Sequence, residues 1–211
     1  MRVLTWNLYV GPPGCSKHDK LAEQILFMQN LDPSILFLQE VYTNKTLSEI
    51  RKAFPAHHAH FRRRWTPYSL WGTTLCLFLP PPWPLVPLSL FFLWVCFQNT
   101  PLFQFAFGGI GGNLLLSKKT YLRTGWGYLP PKGIDWIHPR AYLWADIVQH
   151  THPISLVGVH FSLDTSILKE SFQRATRGRG KKCLLFGDTN AGREKMKTVE
   201  PPFRWVHTGN T

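Results

Sequence analysis

Apolar and polar positions alternate at both ends of the chain in the manner of short strands and helices, and an uncharged stretch separates the two ends. Arg2 to Asn7 alternates as a short strand. Ser16, three residues before Asp19, opens a helix along which Leu21, Ile25 and Met28 recur at helical spacing, and Asp32-Pro33 ends it. Ile35-Leu36-Phe37-Leu38 is a continuous apolar run, the pattern of a strand covered on both faces, and it delivers Gln39 and Glu40 at its C-terminal end. Asn44 is placed to cap a second helix through Leu47, Ile50 and Ala53, finishing at Pro55. In the C-terminal part, Asn113 to Ser117, Tyr142 to Val148 and Ile154 to His160 read as strands, and Leu163 to Ala175 as a helix. Arg177 to Lys182 is a polar, glycine-containing loop, and Cys183 to Phe186 is a buried strand that ends on Gly187-Asp188.

Several of these strands end on a polar residue: Asn7, Glu40, His160, Asp188 and Asn190 all stand at such ends. A core strand has no use for a carboxylate at its edge unless something pairs with it, and ligand sites form where such edges bring distant side chains together. Hard divalent cations such as Mg²⁺ take one or two carboxylates together with water and phosphate oxygens. Glu40 suits that role, with Asn7 as an oxygen donor beside it. Asp188 suits the orientation or deprotonation of a water, and His160 and Asn190 the donation of hydrogen bonds to phosphoryl oxygens. Each residue also has a plainer reading. A strand-terminal Asn or Asp commonly forms a turn, Asp188-Thr189-Asn190 has the form of an Asx turn, and Glu40 alone reads as a salt-bridge partner.

The context of the set distinguishes these readings. Leu4-Thr5-Trp6-Asn7, Leu38-Gln39-Glu40-Val41, Gly112-Asn113-Leu114-Leu115-Leu116-Ser117-Lys118, Val157-Gly158-Val159-His160-Phe161-Ser162 and Leu185-Phe186-Gly187-Asp188-Thr189-Asn190-Ala191 follow one another along the chain. In that order they resemble the successive motifs of the endonuclease/exonuclease/phosphatase family, nearest to its pancreatic-type deoxyribonucleases and neutral-sphingomyelinase-like members. The resemblance implies an α/β (α+β) fold, a four-layer α/β/β/α sandwich of two packed mixed sheets, as a single domain over residues 1–211. It also implies water attack on a phosphoester assisted by Mg²⁺, with Mn²⁺ as a substitute. Asn7 and Glu40 would then sit at the metal, His160 at the scissile phosphate, and Asp188 and Asn190 at the nucleophile and the transition-state charge. Arg140 matches a position that contacts substrate phosphate in the deoxyribonuclease branch, a task that suits a planar guanidinium; its plainer reading is a solvated strand end. Two departures stand out. The family's closing strand carries an Asp-His pair, whereas residues 192–211 hold only His207, preceded by Val206, so the fold is expected to be incomplete at its C-terminus. Thr189 replaces the aromatic or aliphatic residue usual between Asp188 and Asn190.

Charge sharpens the division of the chain. It carries 24 Lys+Arg against 12 Asp+Glu, a formal net charge of +12, which favours an anionic partner and puts nucleic acid first among phosphodiester substrates. Trp65 to Ser117 contains no Lys, Arg, Asp or Glu. Within it, residues 65–111 interrupt the family pattern as a Pro- and aromatic-rich insert whose composition resembles translated noncoding sequence. Leu75 to Phe97 is long enough to cross a bilayer, but Pro80, Pro81, Pro82, Pro84 and Pro87 remove the backbone bonds that a lipid-embedded helix requires. Membrane association through this segment stays open beside the insert reading.

The four cysteines, Cys15, Cys76, Cys96 and Cys183, form no C-x-x-C pair, and the N-terminus lacks a signal-peptide pattern, so an intracellular location is expected. His57, His58 and His60 lack Cys or carboxylate partners at ligand spacing and read as surface histidines. The basic stretches Arg62-Arg63-Arg64 and Arg174 to Lys182 suit either a phosphate backbone or a solvated surface. Mg²⁺-dependent phosphodiester hydrolysis is therefore the leading expectation. A catalytically incomplete relative that binds phosphates and a sphingomyelinase-like lipid phosphodiesterase at a membrane are the alternatives.

Overall fold

The computed structural model of the chain describes residues 1–8, 20–41, 43–63, 112–132, 135, 140–180, 182–192 and 195–196. The start of the first helix at Ser16, the insert over 65–111 with its Leu75 to Phe97 segment, and His207 lie outside the described residues. Among those described, no helix is long and apolar enough to cross a membrane.

Two mixed sheets make up the core. In the first, β1 (Val3–Asn7) runs parallel to β2 (Ile35–Gln39), and β4 (Gly112–Ser117) lies antiparallel between β2 and the edge strand β3 (His58–Arg63). In the second, β5 (Tyr121–Tyr128), β6 (Ala141–Gln149) and β7 (His152–His160) form an antiparallel meander, and β8 (Cys183–Asp188) adds parallel to β7.

The apolar run of β2 is continuous because both of its faces are covered. Leu36 and Leu38 pack with Leu114 and Leu116 against α1 (Leu21–Asn30) and α2 (Asn44–Ala53), through Leu21, Met28 and Ile50. Ile35 and Phe37 point the other way and meet Leu143, Ala145 and Leu156 of the second sheet. The outer face of that sheet, with Val157 and Val159, is covered by α3 (Leu168–Thr176) through Leu168, Phe172 and Ala175. The four layers expected from the sequence are thus in place. Phe37 also fixes the spacing between the sheets, because it lies where Gly158 offers no side chain: a Cβ there would fall 2.4 Å from the ring.

Local differences from the sequence reading have physical causes. The cap of α2 is Thr43, whose Oγ1 accepts from the backbone N–H of Thr46 at 3.0 Å, and Asn44 is the first helical residue. The helix expected from Leu163 begins instead at Leu168, after a 3₁₀ turn over Thr165–Ile167. Ser162 and Asp164 hold their side chains on nearby backbone N–H groups, of Asp164 and Ser166 respectively, which favours turns over helix. Strands β3 and β5 carry a weak sequence signal, because His58, His60 and Arg62 make one face of the first polar and Gly125 and Gly127 interrupt the second. The rings of Trp144 and Tyr142 cover those two glycines.

The histidines of this region serve the fold. His57 Nε2 bonds the Pro33 carbonyl at 2.9 Å beside the first sheet, and the His60 Nε2 bond to the Gly125 carbonyl at 3.1 Å ties edge strand β3 to β5 of the second sheet. Burial lowers the pKa of His60, against the opposing effect of that hydrogen bond. Arg62 stacks on Trp126 with its guanidinium carbon 3.7 Å from the ring centre.

The β6–β7 hairpin turns at His150 and Thr151, which have φ of 47° and 68°. That is the left-handed geometry of a two-residue hairpin turn, which asparagine and glycine adopt readily and a β-branched residue does not. Thr151→Gly is therefore expected to stabilise the fold by about 0.5–1 kcal/mol, read as a higher urea midpoint at unchanged slope. Cys183, half-buried in β8, has its thiol pKa pushed up to about 11 by burial; Arg179 opposes the shift and Asp146 adds to it. Below that pH the thiol stays protonated, so alkylation of Cys183 at pH 8, followed by peptide mass spectrometry, is expected to be slow in the native protein and fast after unfolding.

Candidate functional site

Strand direction places the polar strand ends together. β1 and β2 are parallel, with Asn7 opposite Gln39, so Asn7 and Glu40 emerge at one edge of the first sheet. β7 and β8 are parallel, with His160 opposite Asp188, so these two emerge at one edge of the second. Because β6 is antiparallel to β7 and pairs Tyr142 with Val159, Arg140 enters β6 beside His160. Hydrogen bonds between described residues join the sheets at this end. Asn7 Nδ2 donates to Asp188 Oδ2 at 3.2 Å, and Asn113 Nδ2 donates to the Ala141 carbonyl at 2.9 Å.

His160 occupies the middle of the cluster, its side chain 2 % exposed. Its Nε2 lies 3.9 Å from Glu40 Oε1 and 3.9 Å from Asp188 Oδ2. Arg140 Nη1 lies 2.6 Å from the same Nε2. A guanidinium only donates, so this bond makes Nε2 the acceptor and leaves the ring proton on Nδ1. The sequence reading had His160 donating to a phosphate; in this arrangement its Nε2 does so only once Arg140 has turned away. Arg140 is not a solvated strand end, because its Nε is held 3.2 Å from Oδ1 of the fully buried Asp135.

The remaining residues shape the opening. Glu40 has φ of 60°, a left-handed conformation uncommon outside glycine, and its side chain is 13 % exposed. Asp188, at 30 %, is the more accessible of the two carboxylates. Asn190, with φ of 49°, folds its backbone N–H onto Asp188 Oδ1 at 2.9 Å, which is the Asx turn, and its Nδ2 donates to the Phe161 carbonyl at 2.8 Å. The turn and the site are therefore one structure. All six residues singled out from the sequence meet at this edge. Asp135 and Asn113 were not among them: Asp135 stands in a segment without periodicity, and Asn113 was visible only as part of a motif.

The donors present fit a hard cation. Glu40 and Asp188 are carboxylates, Asn7 carries an amide oxygen, and Mg²⁺ asks for one or two carboxylates with the rest of its shell from water and phosphate. Among the described residues, no group of three or more His, Cys, Asp or Glu is placed to enclose a metal by protein ligands alone.

Comparison with known proteins agrees with this architecture. A family model described as Endonuclease/Exonuclease/phosphatase family matches residues 4–208. Among solved structures, the chain is similar to an endonuclease/exonuclease/phosphatase family protein from Bacteroides thetaiotaomicron, with a TM-score of 0.64 at 15% identity over 94% of this chain and 67% of that one. It is similar to sphingomyelinase C from Streptomyces griseocarneus, with a TM-score of 0.62 at 14% identity over 94% and 68%. It is also similar to D. rerio TDP2 complexed with single strand DNA product, with a TM-score of 0.58 at 12% identity over 94% and 64%. No curated protein matches the chain. With its sheets, its strand-end cluster and a family match over nearly its whole length, the chain belongs to the endonuclease/exonuclease/phosphatase family.

Proposed function

We propose that the chain hydrolyses phosphodiester bonds with the help of Mg²⁺, Mn²⁺ serving as a substitute, and that nucleic acid is its substrate class. The observation that carries this reading is the convergence of Glu40, His160 and Asp188, two carboxylates within 3.9 Å of one buried imidazole, at an edge where Arg140 also enters. Glu40 and Asn7 hold the metal, and a bound Mg²⁺ supplies charge neutralisation at the phosphate. Asp188 accepts hydrogen bonds from Asn7 and Asn190 and so keeps its carboxylate oriented to align an attacking water and take its proton.

Arg140 binds the phosphate. An anionic oxygen is a stronger acceptor for a guanidinium than a neutral ring nitrogen, so the arriving phosphate draws Arg140 from His160 Nε2. The imidazole, flanked by Glu40 and Asp188, can then carry its one ring proton on Nε2 instead of Nδ1 and donate it in a hydrogen bond to a phosphoryl oxygen. Asn190 adds a further donor where negative charge builds. The formal charge of +12 supports a polyanionic substrate over a neutral-headed lipid.

Three substrates offered in parallel test the reading: a single-stranded oligonucleotide, plasmid DNA and sphingomyelin vesicles, each with Mg²⁺ and with EDTA. Metal-dependent cleavage of the nucleic acids is expected. Faster release of phosphocholine from the vesicles would replace the substrate class, and no hydrolysis of any of the three would end the reading.

A further inference from the structure

We infer that Asp135 is a positioning residue for this site, acting through Arg140 as a single-point pivot that lets the guanidinium alternate between His160 and a phosphate. The inference rests on the phosphodiesterase reading for its catalytic consequence, and on geometry alone for the pivot. Asp135 is fully buried, and a buried carboxylate is costly to the fold unless a partner compensates it. That partner is Arg140, whose side chain is 12 % exposed.

The contact is of an unusual kind. Arginine and carboxylate commonly pair by two parallel bonds, yet here only Nε reaches Oδ1, at 3.2 Å, and the buried Oδ2 has no hydrogen-bond partner among the described residues. A two-bond fork would hold the guanidinium rigid. A single bond at Nε anchors the group beside its stem and leaves the terminal nitrogens to turn about that point. One of them, Nη1, is engaged with His160 Nε2 at 2.6 Å. Asp135 therefore sets where the cation sits, and His160 holds it there until a stronger acceptor arrives.

Two readouts separate this role from a purely structural one. The first is independent of turnover: ¹⁵N resonances of the His160 ring, at one fixed pH and without metal. In the wild type the ring is expected to carry its proton on Nδ1, and in the near-isosteric Asp135→Asn that tautomer is expected to lose population, as it is in Arg140→Met. An unchanged ring in Asp135→Asn and in Asp135→Leu would overturn the pivot. The second is a double-mutant cycle. Asp135→Asn is expected to lower kcat/KM about tenfold and Asp135→Leu about 100-fold, the scale on which a displaced positioning group costs rate. In the Arg140→Met background neither is expected to lower it further, because the effect passes through Arg140. Equal losses in both backgrounds would assign Asp135 a role apart from Arg140 and overturn the proposal. A wild-type chain without hydrolytic activity would remove the phosphodiesterase reading, and the ring resonances would still decide the pivot.

Discussion

Gly187→Ala is expected to destabilise the protein by about 3–5 kcal/mol, a large part of the total stability of an ordinary domain. Gly187 has φ of 138°, a conformation that residues with a side chain rarely adopt. Its surroundings add a clash. A Cβ at this position would lie 2.0 Å from the Val159 carbonyl oxygen, and the other two nearest atoms are also Val159 backbone. Backbone paired in a sheet cannot rotate aside as a side chain can, so relief requires β7 and β8 to separate at the pairing of Val159 with Gly187. The next pair along is His160 with Asp188, so loss of fold and loss of site are expected together. Urea unfolding measures the effect; an unfolding free energy within about 1 kcal/mol of wild type would show that the strand ends are not held as described.

The second large effect is on chemistry. Asp188→Asn is expected to slow phosphodiester hydrolysis by about 10²–10⁴-fold, the range associated with loss of a proton-accepting group, with far-UV circular dichroism unchanged. Both Asp188 oxygens accept, Oδ2 from Asn7 Nδ2 and Oδ1 from the Asn190 N–H. An asparagine offers one acceptor and one donor in their place. With Asn7 oriented as it is, one of the two bonds becomes a donor facing a donor, and no group remains to receive the proton of an attacking water. Retained activity with a retained fold would move the proton-accepting role to another residue.

Much of this arrangement was legible in the order of residues. The run Ile35 to Leu38 announces a strand buried on two faces, and its termination at Gln39-Glu40 announces a polar group at a sheet edge. The same holds for β7 ending at His160 and β8 at Asp188, where period and turn chemistry agree. What was not legible depends on tertiary contacts. The spacing between the sheets rests on Phe37 over Gly158, a pair distant in sequence. Strand β3 is recognisable only because β4 pairs with it, since His58, His60, Arg62 and Arg63 leave it only Ala59 and Phe61 as apolar residues. Asp135 gives no local signal at all; only its burial and its contact with Arg140 distinguish it from a loop aspartate. Arg140 has two readings in the sequence, a phosphate contact by resemblance and a solvated strand end, and its partners on two sides exclude the second.

The central claim is that the edge formed by Asn7, Glu40, His160 and Asp188 performs metal-dependent hydrolysis. Its most direct test is the rate of oligonucleotide cleavage against Mg²⁺ concentration for wild type and Glu40→Gln in parallel. Wild-type cleavage is expected to rise with Mg²⁺ and stop in EDTA, and Glu40→Gln, which keeps the size of the side chain and removes its charge, to fall by about 100-fold or more. Equal cleavage by both proteins with the same Mg²⁺ dependence would contradict the account.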